Sequence, residues 1–366
     1  MKLSCHVRTG QLVGLAVLSV LATSCRSVSS PTRATDIKPN DPLLHYVGRF
    51  DWQNPGAPSA SFPGSELVIR FNGTGLSATL STSRWDQIQV IVDDHLTSVL
   101  KLTHEPVPYV VAHDLPRGMH TIALFKRSEA GRGTMQLFGL QLAAGGVLLP
   151  VPPVERTLEF IGDSITCGYG DEAAGKEEPV SPDNSNHYVA YAAVAARTLH
   201  AEHVAVAVSG IRLTESPGTV SMPTIYRYAD QNDKGPLWNF SKGPVPDVVV
   251  INLCTNDFRF EGPSETEWKK SYGVFLDFIR AKRPSAHIFL TNGPMMGPGE
   301  KLDKVRRWNQ QIVEERRSAG DTRIHALDFD VQNASDGYGS DWHPSVRTHE
   351  LMAEKLVGAI KASLNW

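Results

Sequence analysis

The chain has 366 residues, more than one ordinary domain needs and enough for two. Hydrophobic residues make up 41% and charged residues 20%, so sizeable cores are within reach. A balance of 36 Lys and Arg against 39 Asp and Glu excludes a basic nucleic-acid-binding protein and an acidic disordered one, and four cysteines exclude a disulfide scaffold.

Chain order begins with a targeting pattern. Lys2 and Arg8 precede the apolar run Leu12 to Ala22. As a helix that run rises about 16 Å, roughly half a bilayer's hydrocarbon core, which is the length of a signal-peptide core and not of a membrane span. Ala22, Thr23 and Ser24 then lead into Cys25, an order that resembles a bacterial lipobox, with Ala22 where a larger aliphatic residue is usual. Residues 1–24 are expected to be a signal peptide, with Cys25 as the lipidated N-terminus of an exported, envelope-anchored protein. An ordinary secretory signal is the alternative. Residues 25–40 are rich in Ser, Thr, Pro and Arg and read as a disordered tether.

From 41 to 150 the pattern is short alternating runs broken by turn residues. ELVIRF (Glu66–Phe71), LSATLS (Leu76–Ser81), QIQVIVD (Gln87–Asp93), VPYVVAH (Val107–His113), HTIALFK (His120–Lys126) and TMQLFGLQL (Thr134–Leu142) read as strands. Asn72-Gly73 and Gly131-Arg132-Gly133 are among the turns that separate them. The expectation is an antiparallel β-sandwich, jelly-roll-like, without a helix. Trp52 and Trp85 are expected to be buried in it, with glycan binding as the alternative.

The proline cluster in Leu148–Val154 marks a boundary, and from 151 to 366 the period changes. Strand-like runs at Leu158–Ile161, His203–Val208, Val248–Leu253, His287–Thr291 and Arg323–Phe329 alternate with helical patterns at Tyr188–Leu199, Glu265–Lys282, Lys301–Ala319 and Val346–Leu364. This predicts an α/β domain with a parallel five-stranded sheet, flavodoxin-like, whose active site lies beyond the carboxyl ends of its strands.

The chemistry-bearing residues gather at those ends. The first strand runs into Gly162-Asp163-Ser164, the second into Ser209-Gly210, and the third into Thr255-Asn256-Asp257. Ser340-Asp341-Trp342-His343-Pro344 follows the fifth. A hydroxyl, two donors suited to an oxyanion and an imidazole thus leave one edge of the sheet. No spaced Cys/His set is present, so no metal or other cofactor is expected. Cys167 and Cys254 flank two of these blocks, and a small buried thiol is the simplest account of Cys254. A disulfide between the two is an alternative in an oxidising compartment.

Gly162-Asp163-Ser164, Gly210, Asn256 and His343 match, in order, the four blocks of the SGNH (GDSL) hydrolase superfamily. The longer GDSITCGYG string (Gly162–Gly170), the DWHPS ending, PGSELVIRFNGTGL (Pro63–Leu76) and HTIALFKRSE (His120–Glu129) resemble carbohydrate esterase family 2. The resemblance implies an acetyl xylan esterase-like enzyme that removes O-acetyl groups from plant polysaccharides or oligosaccharides. Ser164 would be the nucleophile, with His343 as its base. The backbone amides of Ser164 and Gly210 and the Asn256 side chain would face the oxyanion.

In much of the superfamily an aspartate stands three residues before the histidine. That position here is Ser340, so either Asp341 or a backbone carbonyl orients the imidazole. Asp163 is expected to hold the nucleophile loop. Tyr169 and Trp342 are candidate sugar platforms. The expected partner is an acetylated carbohydrate, with membrane contact only through the anchor. Two rivals are another GDSL activity (a short-chain lipase, lysophospholipase or thioesterase) and a glycan-binding protein with a vestigial hydrolase half.

Overall fold

A computed structural model describes Met1 and residues 33–366 apart from 217 and 233. The expected signal peptide, Cys25 and the first part of the tether lie outside the described residues. The expected tether runs to residue 40, but Thr35–Ile37 is already a strand, paired antiparallel with Leu140–Leu142. One buried side chain, Ile37, is enough there because the sheet edge supplies the backbone partners.

Two antiparallel sheets form the N-terminal sandwich. One is ordered Thr35–Ile37, Met135–Leu142, Leu76–Thr82, Val107–Ala112. The other is ordered Val147–Leu149, Glu66–Gly73, Gly118–Lys126, Gln87–Val92, His95–Lys101. Their inner faces meet in a core that includes Ile69, Phe71, Ala78, Ile88, Val90, Ile122 and Leu142. The strand His95–Lys101 carried no alternation in sequence, because it is an edge strand with almost every residue exposed. The one helical turn in this half among the described residues is Ala130–Arg132.

The second half is a five-stranded parallel sheet ordered Glu202–Ala207, Thr157–Gly162, Val248–Asn252, His287–Thr291, Ile324–Leu327. Every residue of Thr157–Gly162 and Val248–Asn252 is buried, as strands covered on both faces require. Helices Glu265–Lys282 and Val346–Leu364 match the sequence pattern residue for residue. The first starts at a Ser264/Glu267 capping box and buries Trp268, Tyr272, Phe275, Leu276 and Ile279 along one face. The chain adds Glu202–Ala207 on one side of Thr157–Gly162 and then Val248–Asn252 on the other, which makes Thr157–Gly162 the topological switch point.

The sandwich is locked to the sheet by charge. Arg49, from the sandwich, donates to Glu159 Oε1 at 3.1 Å and to the carbonyls of Tyr226 and Tyr228 at 2.7 and 2.8 Å. The other oxygen of Glu159 accepts from Arg283 Nε at 3.1 Å and the Tyr226 hydroxyl at 3.0 Å. Arg49, Glu159 and Arg283 are all buried. Breaking such a cluster from one side strands an unpaired charge, at a typical cost of about 3–5 kcal/mol. Glu159→Ala should therefore lower the free energy of unfolding in urea titrations by that order, and Glu159→Gln by less, with intrinsic fluorescence as the readout.

Candidate active site

Asp163 caps the short helix Ser164–Cys167, accepting from the Ile165 amide at 3.0 Å. Ser164 is thereby fixed at the end of the strand Thr157–Gly162, its hydroxyl directed at His343 of the C-terminal segment. Its Oγ lies 2.8 Å from His343 Nε2, and His343 Nδ1 lies 3.0 Å from the Ser340 carbonyl oxygen. A carbonyl can only accept, so Nδ1 holds the proton and Nε2 is left to accept from the serine. Burial lowers the His343 pKa below 6.5, against the opposing pull of the Ser340 carbonyl and the Asp341 charge. At neutral pH the ring is in its basic form.

Of the two orienting groups that the sequence left open, the structure places the carbonyl at the imidazole. The Asp341 carboxylate instead accepts from the Tyr169 hydroxyl at 3.1 Å, because the Ser340 carbonyl already occupies the Nδ1 position. Asp341 and Trp342 both have positive φ, 51° and 67°, a conformation that costs a non-glycine residue roughly 1–3 kcal/mol. The turn is held by backbone bonds from Ser340 to the Gly170 carbonyl (2.9 Å) and from Asp341 to the Lys176 carbonyl (3.1 Å). Gly170 makes this docking possible: its φ is +59°, and a Cβ there would sit 2.4 Å from the Ser340 Cβ. The Tyr169 ring lies 4.3 Å from the His343 ring, and burial with the Asp341 bond pushes its phenol up to about 12.

The other two blocks follow the two strands that flank Thr157–Gly162 in the sheet. Gly210 follows strand Glu202–Ala207 with φ +81° and open space where a Cβ would project. Its amide meets no protein acceptor among the described residues. Asn256 Nδ2 donates to the Ile211 carbonyl at 3.0 Å and to Asp163 Oδ2 at 3.3 Å, tying the second and third blocks to the loop that carries Ser164. Burial, with the charge of Asp257 adding to it, raises Asp163 to about 7. Asp257 had no role in the sequence reading. It accepts from the amides of Leu213 and Thr214 at 3.1 and 2.8 Å and so pins the strap that continues from Gly210.

Trp342 is 51% exposed beside the site, with Lys176 Nζ 3.4 Å above its ring. Trp52 and Trp85, expected to be buried, are 39% and 59% exposed. Both lie in segments next to turns and outside the inward alternation of the strands. Cys167 and Cys254 are free buried thiols; burial raises Cys167 well above its usual value and Cys254 to about 12. Among the described residues no group of three or more His, Cys, Asp or Glu side chains is arranged to hold a metal ion.

Residues 46–152 match the family model described as carbohydrate esterase 2 N-terminal, and residues 160–351 match the GDSL-like lipase/acylhydrolase family. The chain belongs to carbohydrate esterase family 2, within the GDSL-like hydrolases. Cellulase/esterase CelE of Acetivibrio thermocellus is 39% identical over 330 residues, 89% of this chain but 40% of that protein's length. An acetylxylan esterase / glucomannan deacetylase of Cellvibrio japonicus is 26% identical over 357 residues, 95% of this chain and 97% of its own. A family two carbohydrate esterase from Clostridium thermocellum, solved in complex with cellohexaose, has a TM-score of 0.84 at 39% identity, covering 88% of this chain and 99% of that one. Like other members of carbohydrate esterase family 2, the chain is a carboxylic ester hydrolase.

With the Ser340 carbonyl orienting the ring, His343→Ala should lower kcat on the order of 10³-fold or more, whereas Asp341→Ala should cost less than about tenfold. Equal losses in steady-state assays would mean that Asp341 orients the imidazole after all. As the proposed base, His343 must be neutral, and its pKa is lowered, so the acid limb of kcat/KM against pH should have its midpoint below 6.5.

Proposed function

We propose that the chain is a serine esterase that removes O-acetyl groups from acetylated plant polysaccharides and oligosaccharides. The observation that carries this reading is the 2.8 Å contact between Ser164 Oγ and His343 Nε2, with Nδ1 engaged behind it. Ser164 Oγ attacks the acetyl carbonyl carbon as its proton passes to His343 Nε2. The carbonyl oxygen becomes an oxyanion facing the amides of Ser164 and Gly210 and the Asn256 side chain, whose longer 3.3 Å contact is the one displaced. The C–O bond to the sugar breaks, the imidazolium returns its proton to the sugar oxygen, and the acetyl group remains on Ser164. Water, giving its proton to His343, then releases acetate and restores the serine.

The substrate class draws support from the similar proteins, named as acetylxylan esterase / glucomannan deacetylase or solved with cellohexaose. Tyr169 and the exposed Trp342 beside His343 offer the aromatic faces that a sugar ring packs against. Export with lipidation of Cys25 belongs to the same proposal. Labelled palmitate should enter the wild-type chain and not Cys25→Ser in a bacterial host.

Acetate should be released from acetylated xylan, glucomannan or cello-oligosaccharides by the wild type, and at least about 10³-fold more slowly by Ser164→Ala. Among acetyl, butyryl and octanoyl esters the acetyl ester should be fastest. Dominance of octanoyl would move the enzyme to the lipases.

A further inference from the structure

Glu129 lies just beyond the end of the sandwich strand Gly118–Lys126, yet one of its carboxylate oxygens reaches Ser209 in the hydrolase half. It is buried, and both oxygens are engaged: Oε1 accepts from Arg132 Nε at 3.1 Å, and Oε2 accepts from the Ser209 hydroxyl. Ser209 immediately precedes Gly210. We propose that Glu129 is a positioning residue, contributed by the sandwich, that anchors Ser209 and thereby fixes the Gly210 amide at the oxyanion. This rests on the reading of Gly210 as an oxyanion donor.

The support beneath Glu129 is rigid. Lys126, fully buried and paired with Asp86 at 2.6 Å, donates to the carbonyls of Ser128 and Glu129 at 3.0 and 3.4 Å. Gln231 Nε2 donates to the Ala130 carbonyl at 2.8 Å, closing the loop against the hydrolase half. The other partner is soft. Glycine is the residue with most backbone freedom to lose, and Gly210 has open space where a Cβ would project and, among the described residues, no acceptor on its amide. Flanking bonds from Val208 to the Gly162 carbonyl (3.2 Å) and from Ile211 to the Val208 carbonyl (3.3 Å) bracket the turn without holding its tip. A charge-assisted bond from Ser209 to a fixed carboxylate does hold it.

Arg132 completes the arrangement electrostatically. A bare carboxylate one residue from the oxyanion donor would oppose the negative charge that develops there, and the guanidinium on Oε1 offsets it. Docking of the two halves does not need this contact, because the Arg49–Glu159–Arg283 cluster supplies it elsewhere.

The test is kcat and KM on 4-nitrophenyl acetate for Ser209→Ala, Glu129→Ala, Glu129→Gln and the Ser209→Ala/Glu129→Ala pair, with thermal midpoints alongside. Removing an oxyanion donor outright costs about 10²–10³ in kcat, so loosening one should cost about 10–100-fold in each single alanine variant, with KM within about threefold. The double variant should be no worse than about twofold below the poorer single, since both remove one interaction. Glu129→Gln, which keeps an acceptor for the Ser209 hydroxyl, should recover part of the loss. Values of kcat within about threefold of wild type in both singles, or losses that multiply in the double, would overturn the proposal. If Glu129→Ala fails to fold, Ser209→Ala, which loses only a hydroxyl, decides alone. Ser164→Ala run in parallel separates the two readings: retained activity there sinks the serine-esterase mechanism, whereas Ser164-dependent activity indifferent to Ser209 and Glu129 sinks only the positioning role.

Discussion

A single buried carboxylate ties the architecture together. Glu159 stands on the strand that delivers Ser164, and it faces two guanidinium groups from different parts of the chain. Arg49 comes from the sandwich, and Arg283 follows the helix Glu265–Lys282. A charge in this environment is tolerable only when every partner is present, so sandwich, helix and central strand must assemble together. The orientation of the sandwich on the sheet follows, and with it everything the sandwich brings to the catalytic edge.

That edge is economical in its use of charge. The His343 imidazole is oriented by a neutral carbonyl and sits in surroundings that favour its neutral form. Such an imidazole suits the base of the proposed mechanism, which takes up a proton only when the reaction supplies one. The cost is backbone strain at Asp341 and Trp342, set off by the bonds that hold the turn to Gly170 and Lys176. Strain of this kind aims a side chain without adding a titratable neighbour. Tyr169 then closes one face of the ring and occupies the Asp341 carboxylate.

Much of the fold was legible because burial imposes a period. The helices Glu265–Lys282 and Val346–Leu364 each bury one stripe, and the strands Thr157–Gly162 and Val248–Asn252 are buried throughout and mostly apolar. Where burial was absent the signal failed. His95–Lys101 is a strand held by backbone bonds on an exposed edge, and Thr35–Ile37 is short enough to pass for tether. Trp52 and Trp85 misled in the opposite sense, since a large aromatic side chain in a sandwich need not face inward.

The sequence by itself determined which residues stand at the strand ends: Ser164, Gly210, Asn256 and His343 each follow an apolar run or a loop whose place in a parallel sheet is set by alternation of strand and helix. It also narrowed the orienting group to two candidates. Only the tertiary structure chose between them, because the deciding atom is the Ser340 carbonyl oxygen, and a backbone carbonyl is the same at every residue. The contact between Glu129 and Ser209 was hidden for a related reason. Its partners lie 80 residues apart on two differently patterned halves, and no local period links them until the buried charges around Glu159 bring those halves together.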